Sequence, residues 1–195
     1  MYEFRDSSRL TRAVVAAAWL GIVFNFLHAA VHFLDPPPGG PHDLMVFPRL
    51  LGMVGFVLLG GLWIYRANAN VHALGGNVSR GPGWTVGSFL VPLANLIIPY
   101  RAMRETWEAS HEAGGLDGEA GLSLLRLWWG LWLSLAGVSA LWLIVGDAMQ
   151  DSPRVEPYVT LLRAVIQTAF CLVFIRLMRG LARTQLLAFR QAPPA

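Results

Sequence analysis

Long apolar runs separated by short polar segments dominate the chain. An α-helix needs roughly 20 apolar residues to cross about 30 Å of hydrocarbon, and four runs are that long. They cover approximately Ala13–Leu34, Leu44–Tyr65, Leu127–Gly146 and Pro157–Met178. Asp35 and the prolines after it end the first run, and Asp147 ends the third. The pattern predicts an all-α integral membrane helical bundle with four spans, formed by one domain over residues 1–195.

A fifth apolar segment, Gly81–Tyr100, lies between the second and third runs, and its apolar part is too short to cross. Its apolar part, Trp84–Ile98, would reach only about 22 Å as a helix, and Pro92 interrupts the hydrogen-bond ladder in its middle. We interpret this segment as a re-entrant or interfacial hairpin. Backbone at membrane depth needs protein or water to satisfy its polar groups, so we expect Pro92, Asn95 and Pro99 to pack against the spans.

The positions of the arginines favour this topology. All fifteen basic residues are arginine, and the absence of lysine is typical of a GC-rich bacterial genome. If the hairpin does not cross, only Arg49, Arg154 and Arg163 lie away from the side that carries both termini. Basic residues accumulate on the cytoplasmic side of membrane proteins. We therefore expect a bacterial cytoplasmic (inner) membrane protein with both termini in the cytoplasm.

Composition narrows the class of protein further. The chain is 55% hydrophobic and 14% charged, whereas a soluble domain carries about 25% charged residues. Its arginine-rich, basic character then reflects topology and contact with the lipid bilayer, and it argues against nucleic-acid binding. Cys171 is the single cysteine, so an intramolecular disulfide is excluded.

Polar helices are predicted at the cytoplasmic surface. An amphipathic helix at about 99–111 has Arg101–Glu105 and Arg104–Glu108 at i,i+4 spacing, and we expect its acidic residues to be solvated. A basic C-terminal tail, residues 179–195, would either carry ordinary topology-setting charge or lie on anionic lipid. Three tryptophans are predicted to form an interfacial belt at the inner end of the third span. They are Trp128, Trp129 and Trp132.

A dense set of motifs runs from the second span through the hairpin. It comprises Trp63, Tyr65-Arg66-Ala67, Asn70, Ala73-Leu74-Gly75, Arg80, Pro82-Gly83-Trp84, Val86-Gly87, Pro92, Asn95-Leu96, Pro99-Tyr100-Arg101-Ala102-Met103 and Trp107. Together these motifs resemble a family of bacterial multi-span membrane proteins catalogued as the domain of unknown function four-three-two-eight. Its members often carry a tryptophan and a basic residue where this chain has Ile97 and Ile98, which implies a deeper hairpin here. The resemblance implies a multi-span bacterial membrane protein and brings no catalytic residues.

Our first functional hypothesis is a non-enzymatic sensing, scaffolding or regulatory module with a protein partner at the cytoplasmic face. The candidate contact residues lie in the hairpin and the polar segments beside it. They are Arg66, Asn70, Pro82, Trp84, Pro92, Asn95, Pro99, Tyr100 and Arg101. Signature motifs of hydrolases, phosphate-binding loops and zinc proteases are absent from the sequence, so no catalytic residue is assigned.

Polar residues at membrane depth suggest two alternatives. In the four-span topology, seven of them occupy one layer of the outer leaflet. They are Asn25, His28, His32, Arg49, Asp147, Arg163 and Gln167. The layer could be a hydrogen-bonded cluster that orients the helices. It could also be an outward-facing pocket for an anion or a proton relay in a small transporter or channel subunit, which would then need a homo-oligomer to form a pore.

The second alternative is a haem or divalent metal held by His28 and His32. Histidines at i,i+4 lie on one helix face and can share a metal. No second pair of ligands on another span and no haem-attachment motif supports this hypothesis, so the sequence predicts no cofactor otherwise.

Overall fold

The structure, a computed structural model, describes residues 2–34, 41–146 and 155–191. Six α-helices and two short 3-10 turns follow one another, and no strand occurs within these ranges. The helices are α1 Ser8–Phe33, α2 Pro41–Ala73, α3 Pro82–Gly87, α4 Ile98–Ala113, α5 Glu119–Val145 and α6 Glu156–Gln191. The 3-10 turns are Ser88–Leu90 and Ala94–Leu96. This all-α architecture confirms the predicted fold class.

Four helices are long and apolar enough to cross a membrane, judged by length and composition. The qualifying segments are Ser8–Val31, Phe47–Ala73, Gly121–Val145 and Glu156–Gln191. They coincide with the four predicted spans, so the chain is a membrane protein. Both α2 and α6 continue well beyond the predicted ends of their spans. These extensions build a polar region outside the apolar bundle.

The ends of three helices meet on one side of the bundle, which we call the terminal side. The Phe4 ring, just before α1, stacks on Phe189 near the end of α6 at 4.2 Å. The Tyr2 ring stacks on His72 at the end of α2 at 5.3 Å. Helix α1 packs on α2 and α6, and α5 packs on α6. Each long helix therefore runs in the opposite direction to the long helix before it in the chain. Both ends of the described chain lie on the same side.

Residues 81–100 fold as a hairpin that returns to the terminal side, as the sequence predicts. Arg80, before the hairpin, forms a 2.6 Å ion pair with Glu105, after it. The chain reverses at Leu93, whose φ of 65° and ψ of −46° are those of a γ-turn. The Ala94 N–H donates to the Pro92 carbonyl oxygen at 2.7 Å and closes this turn. Helix α4 then begins at Ile98, with Pro99 in its first turn.

The tip of the hairpin is apolar and uncovered by protein. Leu90 and Leu93 are 85% and 80% exposed. Pro92 is exposed as well, so the expectation that it packs against the spans is wrong, whereas Asn95 is half-buried and Pro99 is buried. The local γ-turn hydrogen bond already satisfies the Pro92 carbonyl, which removes the need for a partner on another helix.

Trp128 and Trp129 of α5 belong to the core and not to an interfacial belt. Trp128 and Trp129 are 1% and 7% exposed. The Trp128 ring stacks on Phe174 of α6 at 5.8 Å, and the Trp129 Nε1 donates to the Leu96 carbonyl oxygen in the hairpin. The belt prediction is wrong for these two residues because Phe170 and Phe174 pack against the Trp128 ring, while Tyr100 and Leu96 contact Trp129.

The C-terminal segment is a continuation of α6 and not a separate surface tail. Leu177, Leu181 and Gln185 are buried on its inner face, while Arg179 and Arg183 are exposed on the outer face. Residues 192–195 of the predicted tail lie outside the described residues. The inner face holds α6 against α4 and α2 on the terminal side.

Candidate functional site: a buried amide network on the terminal side

Gln185 of α6 is the centre of a buried polar network. Its side chain is 1% exposed. Its Nε2 donates to the Ala67 carbonyl oxygen at 2.8 Å and to the Ser110 Oγ at 3.0 Å. Its Oε1 accepts a hydrogen bond from the Asn70 Nδ2 at 3.2 Å. One glutamine therefore joins α2, α4 and α6. Its hydrogen bonds to protein groups replace the hydrogen bonds to water that burial removes.

Asn70 extends the network to the N-terminal segment, residues 2–7. Its Nδ2 donates to the Arg5 carbonyl oxygen, and its Oδ1 accepts from the Arg5 backbone N–H, both at 3.0 Å. A primary amide that pairs with both backbone groups of one residue imitates a β-ladder pair. The contact fixes a segment 65 residues away in sequence to the end of α2.

A second branch of the network connects α2 to α4. The Asn68 Nδ2 donates to the Thr106 Oγ1 at 3.1 Å. The Thr106 hydroxyl donates to the Ala102 carbonyl oxygen, and the Ser110 hydroxyl donates to the Thr106 carbonyl oxygen. We call this set the amide network: the Arg5 backbone with Asn68, Asn70, Thr106, Ser110 and Gln185. It explains why the polar face of α4 that carries Thr106 and Ser110 is buried.

His111 adds a further link between α4 and α6. Its ring stacks on Trp107 at 4.4 Å, and its Nδ1 lies 2.9 Å from the Trp107 carbonyl oxygen. Because a carbonyl only accepts, Nδ1 carries a proton and donates to it. In the neutral ring, Nε2 is then the acceptor for the Thr184 hydroxyl, 3.4 Å away. The Trp107 Nε1 in turn donates to the Gly118 carbonyl oxygen at 3.0 Å.

Glu105 fastens the start of the hairpin to α4. The predicted Arg101–Glu105 pair does not form, because Glu105 binds Arg80 and accepts hydrogen bonds from the Ser79 N–H and hydroxyl. The predicted Arg104–Glu108 pair does form, at 2.8 Å. The expectation that the acidic residues are solvated is thus wrong for Glu105. Ser79 and Arg80, which are distant in sequence, bind Glu105 in place of Arg101, which lies one helical turn away on α4.

The pKa of Glu105 reflects this environment. Burial by itself would raise the pKa of its carboxyl group, but the hydrogen bonds from Ser79 and the charge of Arg80 outweigh burial. The pKa consequently lies below its ordinary value of 4.5. A carboxyl whose folded-state pKa is lowered stabilises the fold above its unfolded pKa, and this contribution is lost as the pH falls through the folded value.

Glu105→Gln should lower the free energy of unfolding at neutral pH by about 0.5–1 kcal/mol, the range of a partly exposed ion pair. The difference from the wild type should shrink as the pH falls below 4.5 and vanish once the pH lies below the lowered folded-state pKa, where the wild-type carboxyl is neutral as well. Unfolding in detergent micelles, followed from neutral to acidic pH, measures both effects. Glu112→Gln is the matched control, since Glu112 is exposed on the same helix. Equal effects of the two substitutions would contradict the assigned pairing.

The remaining motif residues occupy different environments. Arg66 and Asn70 line a cavity of about 560 Å³ between the N-terminal segment and α2, together with Tyr2 and Glu3. Four others belong to the hairpin and α4: Pro82 is buried, Trp84 is 49% exposed, Tyr100 lies against Trp129, and Arg101 is exposed. The structure therefore gathers the predicted residues on the terminal side but divides them between the interior and the surface.

The predicted outer polar layer is only partly described. His28 is buried, and Asn25, Arg49, Arg163 and Gln167 are half-buried. Asp147 and the His32 side chain lie outside the described residues.

Sequence reasoning missed the partners of Asn70 in the amide network. Gln185, Thr106 and Ser110 are polar residues that alternate with apolar ones on helices read as amphipathic surface elements. The available signal was the pair Asn68 and Asn70, two amides in a helix that continues directly from a membrane span. Amides at such positions are buried only when other polar groups satisfy them.

Comparison with known proteins agrees with the motifs and the architecture. Residues 45–183 match the domain of unknown function DUF4328. The chain belongs to the DUF4328 family. The match includes the hairpin, α4, α5 and most of α2 and α6, but it excludes α1 and ends just before Gln185. No curated protein and no solved structure matches the chain. Membership in DUF4328 confirms the resemblance seen in the sequence and assigns no activity.

Proposed function

We propose that this DUF4328 protein is a non-enzymatic scaffold or regulator of the bacterial cytoplasmic membrane that holds a partner protein on its terminal side. The amide network is the observation that carries the proposal. It fixes the N-terminal segment, α2, α4 and α6 to one another through buried amides and hydroxyls. Binding surfaces are most precise when rigid, hydrogen-bonded elements hold them.

The distribution of charge supports an orientation with the terminal side in the cytoplasm. Twelve of the fifteen arginines, all except Arg49, Arg154 and Arg163, lie in the helix ends and connecting segments on the terminal side. This bias is the one that the positive-inside rule associates with cytoplasmic loops. The proposed partner is consequently a cytoplasmic or membrane protein that reaches the inner surface.

The exposed face of α4 is the best candidate for the contact with the partner. Arg101, Arg104 and Glu108 are exposed there, and Trp84 of α3 is 49% exposed on the adjoining hairpin. The opposite face of α4 is buried against α2, α5 and α6, so this helix presents its outer face in a fixed position. Arginine and tryptophan are the residues that most often dominate binding energy at protein interfaces.

Photo-crosslinking in the native bacterium tests the proposal. A photoreactive amino acid at Arg104 or Glu108 should trap one discrete protein, and Gln185→Leu should abolish this product because it disrupts the network that supports α4. A photoreactive residue at Leu143, which is 82% exposed in the third span, serves as the control for lipid and chance contacts. The same products at all three positions, or none at α4, would overturn the proposal.

Cysteine labelling tests the orientation separately. In a Cys171→Ser background, single cysteines at Asn77 and Glu112 should react with a membrane-impermeant maleimide only after the cells are permeabilised. Both positions are exposed and flank the hairpin on the terminal side. A cysteine at the exposed Glu156, at the other end of α6, should react in intact cells. Labelling of Asn77 and Glu112 from outside would reverse the proposed topology.

A small transporter or channel subunit is the second candidate function, favoured by the half-buried arginines Arg49 and Arg163 on two of the spans. An outward-facing pair of guanidinium groups would attract an anion. Passage along the bundle would, however, have to displace the aromatic cluster of Trp63, Trp128 and Phe174. Anion flux into proteoliposomes that falls in Arg163→Ala would favour this function over the scaffold. A visible haem spectrum or stoichiometric metal in the purified protein would favour the His28–His32 hypothesis.

A further inference from the structure

A groove of about 590 Å³ lies between α1 and α6, where the fourth span leaves the apolar part of the bundle. It is separate from the amide network and from the outer face of α4. The side chains that line this arginine groove are Trp19, Leu172, Ile175, Arg176, Arg179 and Arg183. The lining combines an apolar wall with a row of cations, so it fits a ligand that has both an apolar part and a negatively charged part.

The cations of the groove form one row along α6. Arg176, Arg179 and Arg183 are spaced i, i+3 and i+7, which places them on one helix face over about 10 Å. All three are exposed. Within the described part of the chain, none of them forms an ion pair with a carboxylate. Three neighbouring guanidinium groups without an acidic partner create a concentrated positive field.

The apolar wall of the groove lies deeper along the bundle than the arginines. Leu172 and Ile175 precede Arg176 on α6, which runs towards the terminal side. Trp19 stands opposite them on α1 and is 51% exposed, and Leu172 is 45% exposed. The groove is therefore apolar towards the membrane centre and cationic towards the surface, the polarity of a phospholipid molecule.

We propose that the arginine groove binds an anionic phospholipid, with its phosphate at Arg176, Arg179 and Arg183 and an acyl chain along Trp19 and Leu172. Guanidinium groups bind phosphate through paired hydrogen bonds. Basic pockets between membrane helices bind anionic head groups. A free phosphate would leave the apolar wall without an occupant, whereas a lipid covers both parts of the groove.

Native mass spectrometry of the delipidated full chain, titrated with phosphatidylglycerol or phosphatidylcholine, tests the site. The wild type should retain phosphatidylglycerol preferentially. The triple variant Arg176→Gln, Arg179→Gln and Arg183→Gln should bind it at least about tenfold more weakly. The matched control Arg9→Gln, Arg126→Gln and Arg190→Gln removes the same charge from exposed positions that do not line the groove and should keep the wild-type affinity. Circular dichroism verifies that both variants are folded.

Trp19→Ala separates a lipid from a free anion, because it removes part of the apolar wall and no charge. We expect it to weaken phosphatidylglycerol binding and to leave any binding of inorganic phosphate unchanged. Equal losses in the two triple variants would mean that diffuse surface charge holds the lipid, and the proposal would be wrong. Equal binding of both lipids, or inorganic phosphate binding as tightly as phosphatidylglycerol with no effect of Trp19→Ala, would overturn it too.

Discussion

Gly121→Ala is expected to lower the free energy of unfolding by about 3 kcal/mol, as severe overpacking of a buried contact does. A Cβ atom at Gly121, in the first turn of α5, would fall inside the indole of Trp107. Trp107 is 6% exposed, and its Nε1 donates to the Gly118 carbonyl oxygen. The ring cannot move without losing this hydrogen bond and its stacking on His111. Thermal or denaturant-induced unfolding in detergent micelles measures the loss.

The same helix offers controls of opposite expected sign. A Cβ at Gly130 or Gly137 meets no atom within 4 Å. Replacing either glycine with alanine should therefore stabilise the protein by up to about 1 kcal/mol, the difference between the two residues in helix propensity. If Gly121→Ala behaves like Gly137→Ala, the packing of α4 on the start of α5 is not as described.

Gln185→Leu is expected to destabilise the protein by about 3 kcal/mol, because leucine preserves the apolar volume but leaves buried polar groups without partners. The Ala67 carbonyl oxygen loses its contact with the glutamine Nε2, Ser110 loses a donor, and one Asn70 N–H loses an acceptor. Global unfolding in micelles measures this loss. Trypsin cleavage after Arg5 should also become faster, because Asn70, which binds the Arg5 backbone, loses its orientation.

Gln191→Leu is the matched control, since Gln191 is exposed at the end of the same helix. Its stability should stay within about 0.5 kcal/mol of the wild type, as is usual for surface positions. An equal effect of both glutamine substitutions on unfolding, with unchanged cleavage after Arg5, would remove Gln185 from the centre of the network.

The spans and the hairpin were predictable because membrane burial imposes a strong rule on sequence. A helix must carry about 20 apolar residues to cross, and the apolar part of the hairpin, Trp84–Ile98, falls short with Pro92 in its middle. Pro99 likewise begins a helix for a purely local reason. Such features depend on length and on neighbouring residues, which the sequence displays directly.

The interior of the terminal side was not predictable in the same way. Asn68, Thr106 and Gln185 each look like ordinary polar surface residues, and only the packing of three helices shows that they satisfy one another. Trp128 and Trp129 have the position of belt residues. In the structure, however, Trp128 stacks on Phe174, and Trp129 donates a hydrogen bond to the Leu96 carbonyl oxygen. Pairings between residues distant in sequence depend on register, which hydropathy does not encode.

The amide network also sets an order of events during biosynthesis. Its contacts join Arg5, which precedes the first span, to Gln185, which lies near the end of the fourth long helix. The insertion machinery must therefore release all four spans before Asn70 can occupy its final position between these two residues. Until then its amide, with those of its neighbours, is available to water and to chaperones at the membrane surface. A nascent chain halted within α6 would be inserted but would leave the amide network incomplete. Its exposed amides would distinguish it from the finished protein for quality-control proteases.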